Sequence, residues 1–429
     1  MRQARRRALR ASGFQHEHSY KLGRAFHQVH YGESIRETPL PTIPSFETSE
    51  PATEWLLLLE CSSPGCDPRR LLDLLKKKPD WSALLPLAEE HGVLGLLAER
   101  LGGGVGSNVP EEARKRLHEK QRALLLFTLG LNAELFRLLE SFSAAGMEAL
   151  VVKGPALSAR AHGDSCVRQY EDVDLLVRQR DVSRFTELMM SEGYVPKIRL
   201  SVIGAGRIPG EYVFRWPLTN RRIELHTEKT LRYFPRPLPV EQFFGRKVLV
   251  EFDGHVAPAL CAEDELLLIC VHSAKHFWER LLWVADIAGL VSRQKDLDWD
   301  QTFAAAREAG AMRMLSVGLL LTHGFFQLKL PGEVDRVIRS DRGTARLAGE
   351  IAARLPSSGR VPRSLLARAL FRVRMRGGLL TGVAYLLRLT LSPTEEDWAE
   401  NLAEKRPGLS EALRRPLRLA RKYWHGGEQ

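Results

Sequence analysis

Leucines recur at helical spacing, with charges opposite them, through TEWLLLLE, PRRLLDLLKKK and DWSALLPLAEEHGVLGLLAERL, which predicts a run of helices from Thr53 onward. Gly102, Gly103 and Gly104 stop that block. VPEEARKRL, with Pro110 at a first turn and acids behind it, then opens a helix predicted over Glu111 to Ala144, broken near Gly130 and capped by Gly146. The period changes at Glu148. EALVVK, ending at Lys153, is a compact apolar run that predicts a strand, and Gly154 ends it where a backbone can approach a ligand that a Cβ would obstruct. Pro155 suits a first helical turn, because its missing N–H would be unpaired there, and Ala156 to Arg160 continue that helix. YEDVDLLV predicts a second strand entering a core.

Asp181 to Glu192 reads as a helix stopped by Gly193, Tyr194 to Leu200 as a strand, and the Gly-rich Ser201 to Gly210 as a loop. EYVFRW and RRIELHT, separated by Pro217 to Asn220, predict a hairpin-like pair of strands. Helical spacing resumes over Glu263–Trp278, Glu279–Val291, Trp299–Leu330 and Ser364–Leu391, the last interrupted by arginines. SPTEEDW from Ser392 reads as a loop and capping-box start, and RRPLRLARKYW as a basic amphipathic tail. Residues 1 to 50 show no sustained period and read as a basic, disordered extension.

Composition places the chain among ordinary folded proteins, with 44% apolar and 27% charged residues. Cys61, Cys66, Cys166, Cys261 and Cys270 are odd in number and scattered, so neither a disulfide framework nor a zinc knuckle is indicated and a reducing cytoplasm is expected. The most apolar C-terminal run, Leu379 to Leu391, contains Arg388 and is shorter than the roughly 20 residues of a membrane span. The Arg-rich N-terminus lacks the apolar block of a secretory signal. The net charge of +11 resides in the two flanks, which could attract RNA, acidic lipid or a polyanionic acceptor, or serve only as solvated tails.

Asp172 and Asp174 lie two apart on a predicted strand, so their carboxylates project from one face with Cα atoms about 7 Å apart. Glu224 alternates with Ile223 and Leu225 and adds a third acid on a strand. Carboxylates about 4 Å apart repel by about 4 kcal/mol per pair at an effective dielectric of about 20, so such a cluster calls for a cation or a proton. Oxygen-only ligands favour magnesium or manganese over zinc, and two such ions can clamp the attacking and leaving oxygens of an in-line phosphoryl displacement. His272 and His276 share one helical face with Lys275 beside them; Ser273 stands where a zinc protease has its catalytic Glu, which argues against that chemistry. The two histidines either line a cleft from the helical side or are satisfied in a core. Trp283 and Asp286 read as structural, or as support behind the site.

The ordered set KGPAL, Arg168, DVDLLV, IELH and HSAKHFWERLLWVADIAGLV resembles the polymerase-beta type of nucleotidyltransferase, and more narrowly a bacterial group of uncharacterised nucleotidyltransferases. The likeness runs from near Trp81 to Val291. It implies an α+β protein whose small mixed-sheet nucleotidyltransferase core, residues 148–260, sits between helical regions 51–147 and 261–429. It also implies transfer of a nucleoside monophosphate from an NTP such as ATP to a hydroxyl acceptor, with pyrophosphate released and Mg2+ or Mn2+ as cofactor. Asp172 and Asp174 would then hold metal and triphosphate, and Glu224 would help activate the acceptor. Lys153 and Gly154 occupy the family's glycine turn, but Pro155 replaces a small hydroxyl residue and removes a donor, leaving Lys153 to compensate as a point charge. Arg168 is either a triphosphate ligand or half of a structural ion pair, and His272, Lys275 and His276 would contact base or phosphate. Two other readings compete: a catalytically silent nucleotide-binding module, and an RNA-binding protein acting through its basic flanks. No readable pattern identifies the acceptor, whether small molecule, protein or RNA.

Overall fold

The computed structural model describes residues 51–387 apart from 103, 198–209, 220, 228–233, 237, 358–360, 363, 379 and 385–386. The expectations for residues 1–50, for the loop at 201–209, for the capping-box start at Ser392 and for the basic tail therefore lie outside the described residues. Four helices open the chain: α1 (Thr53–Ser62), α2 (Pro68–Lys76), α3 (Trp81–Glu90) and α4 (Leu94–Leu101). Asp67 and Asp80 cap α2 and α3, accepting from the N–H groups of Arg69 at 2.9 Å and Ser82 at 2.8 Å. The next helix, α5 (Glu111–Ala144), is continuous, so the expected break near Gly130 does not occur. The missing side chain serves a neighbour instead: a Cβ on Gly130 would lie 2.2 Å from the Arg221 guanidinium.

The middle of the chain alternates between strands and helices: β1 (Leu150–Val152), α6 (Gly154–His162), β2 (Asp172–Leu176), α7 (Val182–Ser191), β3 (Val195–Pro196), β4 (Glu211–Arg215), β5 (Arg222–His226), α8 (Val240–Gly245), β6 (Val248–Phe252) and β7 (His255–Ala259). They form one mixed sheet in the order β3-β4-β5-β2-β1-β7-β6. β2 pairs parallel with β5 and β1 parallel with β7, while the remaining neighbours are antiparallel. The β6–β7 hairpin turns at Asp253-Gly254, both at positive φ (+51° and +74°), as a tight two-residue turn requires.

Alternation divides the sheet. Val151, Val173, Leu175, Ile223, Leu225, Tyr212 and Phe214 enter a core with Leu131, Leu135, Leu138 and Phe142 of α5 and Phe185 and Met189 of α7. α6 lies against β1, β2 and β6, and Leu150, Val152 and Leu176 join a second core shared with the helices that follow: α9 (Ala262–Lys275), α10 (Leu281–Arg293), α11 (Trp299–Glu308), α12 (Met312–Phe326), α13 (Gly332–Arg339), α14 (Arg342–Arg354) and α15 (Leu365–Arg374). The helix expected over Trp299–Leu330 is thus two helices, separated by a turn at 309–311. α1 to α4 share one apolar core with α9 to α14. His91 fastens the two sets together: its Nδ1 accepts the Leu281 N–H at 3.1 Å and its carbonyl accepts that of Leu282 at 3.2 Å. Among the described residues no helix is long and apolar enough to cross a membrane, and all five thiols are free.

α6 and α10 pack at very short range because Gly289 has no side chain; a Cβ there would stand 2.2 Å from the Ala161 carbonyl oxygen. Around this seam lie buried charges. Asp286 accepts from Arg168 Nε at 2.9 Å and pairs with His162 Nε2 at 2.9 Å, and the Arg168 guanidinium beside it, with His162, holds its carboxyl below the usual range despite burial. Glu265 is less well served. Arg160 Nη1 stands 2.9 Å from its Oε2 but donates to the Leu260 carbonyl at 2.7 Å, and among the described residues neither Glu265 oxygen accepts a hydrogen bond. Burial therefore pushes Glu265 up to about 7, against the pull of Arg160.

Gly289→Ala forces a methyl into a backbone carbonyl and is expected to lower unfolding stability by about 1–3 kcal/mol, read from urea denaturation. Glu265 holds its proton more tightly folded than unfolded. Its favourable contribution is therefore complete below the ordinary carboxylate pKa and lost as the pH rises through about 7. Stability should fall between pH 5 and pH 8 by an amount on the order of 2–3 kcal/mol from this group, and Glu265→Gln should flatten the decline.

Candidate functional site

β2 and β5 run parallel in a register that sets Asp172 against Arg222 and Asp174 against Glu224. Period-2 alternation brings Asp172, Asp174, Arg222, Glu224 and His226 to one face, with Glu211 opposite His226 on β4. Lys153 arrives from the end of β1, where Val152 sits opposite Asp174. These groups floor a cleft of about 480 Å³ whose other wall is α9 and α10, carrying His272, Lys275, His276, Arg280 and Trp283. Val152, Leu176, Phe234, Phe243, Leu260 and Leu268 make one part of the lining apolar.

Each acid has a different electrostatic setting. Asp174 is buried; its Oδ2 lies 3.0 Å from Lys153 Nζ and its Oδ1 2.5 Å from His226 Nε2. Burial alone would raise its pKa, but Lys153 and then His226 hold it well below the usual carboxylate range. Asp172 pairs with Arg222, yet burial and the neighbouring Asp174 leave its carboxyl raised. Glu224 accepts no hydrogen bond among the described residues, standing 3.5 Å from Arg222 Nη2 and 3.8 Å from His226 Nε2. Burial, Asp174 and Asp172 together push it up to about 7. For His226, burial favours the neutral ring, and the hydrogen bond to Asp174 outweighs it, so its pKa is raised.

The expected residues separate into three groups. Asp172, Asp174, Glu224 and Lys153 meet on the sheet face, and His272, Lys275 and His276 face them across the cleft. The two imidazoles and Trp283 form a cluster with ring centroids 4.7, 5.3 and 5.8 Å apart. Burial lowers both histidines, His276 to about 3, with Lys275 and Lys153 adding to the effect, so both rings are neutral at neutral pH. Lys275 Nζ lies 3.6 Å from Glu211 and ties the helical wall to the sheet. Arg168 lines the cleft, and its Nε donates to Asp286. Gly154 begins α6 at φ +51° and is buried; unlike Lys153 it does not line the cleft.

Sequence reasoning passed over Arg222 and His226 as site residues. The alternation that joined Asp172 to Asp174 applies equally to Arg222, Glu224 and His226, and would have found both. Asp174, Glu224 and His226 bring ligand atoms within 4.8 Å of one another, a donor set that fits a divalent cation. Two carboxylates and an imidazole supply both charge and lone pairs.

Lys153 adopts φ +61° and ψ −141°, a conformation that costs a residue with a Cβ on the order of 1–3 kcal/mol. Replacing it tests whether that strain is real. Lys153→Gly should be more stable than Lys153→Ala by about 1 kcal/mol, reversing the usual order of these residues, as measured by thermal unfolding at fixed pH. Equal stability of the two variants would contradict the assignment.

No curated protein matches the chain. Residues 77–327 match the family described as uncharacterised nucleotidyltransferase. That segment spans well over half of the 429 residues and contains the whole sheet, the acid cluster and the opposing helical wall. The chain belongs to this nucleotidyltransferase family.

Proposed function

We propose that the protein transfers a nucleoside monophosphate from an NTP to a hydroxyl acceptor in a metal-dependent reaction that releases pyrophosphate. The observation that carries this reading is Glu224, an acid that accepts no hydrogen bond among the described residues and stands beside two acids more closely paired with cations, at the floor of a cleft that one nucleotide would fill. Glu224 is placed to take the proton of the acceptor hydroxyl, whose oxygen forms the new bond to the α-phosphorus as the bond to pyrophosphate breaks. Lys153 offsets charge on the phosphates, and the neutral His272–His276–Trp283 cluster offers ring faces to a base. A bound Mg2+ or Mn2+ would neutralise triphosphate charge and favour the attacking oxygen. Asp174 and Glu224 would hold it. The acceptor enters by the mouth of the cleft and is left as a small molecule, protein or RNA.

The silent-module reading keeps two supports: Asp174 is already paired with Lys153 and His226 and Asp172 with Arg222, and Pro155 contributes no N–H at the start of α6. One experiment separates the two. Purified protein is incubated with each labelled NTP and either metal, with RNA, protein and small-molecule extract as acceptors, and pyrophosphate and label are followed. Asp174→Asn and Glu224→Gln are each expected to cut transfer a hundredfold or more while circular dichroism stays unchanged. Unchanged turnover in Asp174→Asn would rule out the site, and NTP binding without pyrophosphate in the wild type would favour the silent module.

A further inference from the structure

We propose that two copies of this chain associate through β6, pairing antiparallel about a two-fold axis at Leu249 so that their sheets join into one. β3 and β6 are the two edges of the sheet, and they are built differently. β3 is two residues long and ends in Pro196, which has no N–H to offer a further strand. β6 runs from Val248 to Phe252 without a proline, and Leu249 in it is 70% exposed. An edge that is regular, apolar and open is a template for another strand.

The hairpin decides which backbone groups face outward. Phe252 and His255 flank the tight turn at Asp253-Gly254 and exchange hydrogen bonds, and alternate pairs behind them do the same, so Val250 and Val248 are directed at β7. Leu249 and Glu251 lie between these pairs and direct their N–H and C=O groups to the open side. Pro258 accordingly stands opposite Leu249, at a pair that exchanges no hydrogen bond. Both ends of the strand are fastened. Beyond Phe252, the Asp253 carboxylate accepts from Asn132 Nδ2 and Ser165 Oγ, each at 2.7 Å. Before Val248, Arg246 donates to both oxygens of Asp264 at 2.7 and 3.1 Å. A strand so fixed loses little freedom on pairing.

Charge chooses the partner and the register. Lys247 to Glu251 reads Lys-Val-Leu-Val-Glu, a pattern that is its own complement when reversed. With Leu249 opposite its copy, Lys247 of each chain faces Glu251 of the other, and Val248 of each faces Val250 of the other. Lys247, Leu249 and Glu251 share one face with Val256, which is 56% exposed, so the axis gathers apolar surface from both copies. A shift that put Val250 on the axis would instead set Lys247 against Asp253, whose carboxylate Asn132 and Ser165 already occupy, and Leu249 against Glu251. Lys247 pairs with Glu148 within its own chain, but an ammonium has three donors and can serve a second acid. Glu251 is exposed and has no ion pair among the described residues. β6 stands three strands from β2, about 14 Å at the usual spacing, so pairing leaves the acid cluster of each copy uncovered.

Sedimentation equilibrium of the full chain is expected to show monomer and dimer with a dissociation constant on the order of 1–10 μM, weak because paired edges bury little area. Glu251→Lys and Lys247→Glu each set like charges opposite one another at both ends and should weaken the dimer about tenfold or more. Lys247→Glu/Glu251→Lys restores opposite charges and should recover the affinity to within about threefold, and the two single variants should pair with each other when mixed. Unchanged circular dichroism would show that each variant folds. Leu249→Cys should crosslink two copies on treatment with diamide, its Cα atoms standing about 5.5 Å apart across the axis, whereas Glu251→Cys and the wild type should not. A chain that stays monomeric to about 100 μM, a dimer indifferent to both charge reversals, or crosslinking at position 251 in place of 249 would overturn the proposal.

Discussion

Three carboxylates on one face of two paired strands cannot be gathered without opposing charge, and this constraint accounts for much of what surrounds them. Parallel pairing of β2 with β5 makes the crowding unavoidable, because register fixes Asp174 against Glu224. Lys153, Arg222 and His226 each answer part of it. The answer is unequal: Asp174 is driven strongly towards its charged form, while Glu224 is driven towards its protonated one. Neighbouring carboxylates thus acquire different chemistry from position alone.

The helical layer is built around the same need. Lys153 reaches Asp174 from the turn between β1 and α6, and the far end of α6 lies tightly on α10 at Gly289. Arg168, which from the sequence could equally have been a triphosphate ligand, is spent on Asp286 within that layer. Its charge lines the cleft while its Nε donates to Asp286.

Much of this was legible because it is local. Two acids two apart, an apolar run ended by Gly154, and a hairpin around Pro217 follow from period and turn chemistry alone, and β4 and β5 form the hairpin that EYVFRW and RRIELHT predict. The hairpin of β6 and β7 went unread, although VLVEF and HVAPA flank an Asp-Gly turn. What was not legible is register. Nothing local says that Asp172 will meet Arg222 while Asp174 meets Glu224, since that depends on how far β5 slides along β2. The Gly130 break failed for the same kind of reason: a glycine that costs helix stability in isolation is kept because Arg221, distant in sequence, occupies the space.

His91 gives the molecule an indivisible character. The first turn of α10 receives hydrogen-bond acceptors from a residue near the end of α3, and Trp55 of α1 packs at a tilt against that same imidazole with ring centroids 5.1 Å apart. The helix that carries Trp283 into the cleft is therefore held in place by the opening helices of the described chain. A recombination event that carried off the sheet alone would deliver the acids without the wall that encloses them. A block that keeps the cleft whole must carry His91 together with α10, and the span matched by the family, residues 77–327, contains both.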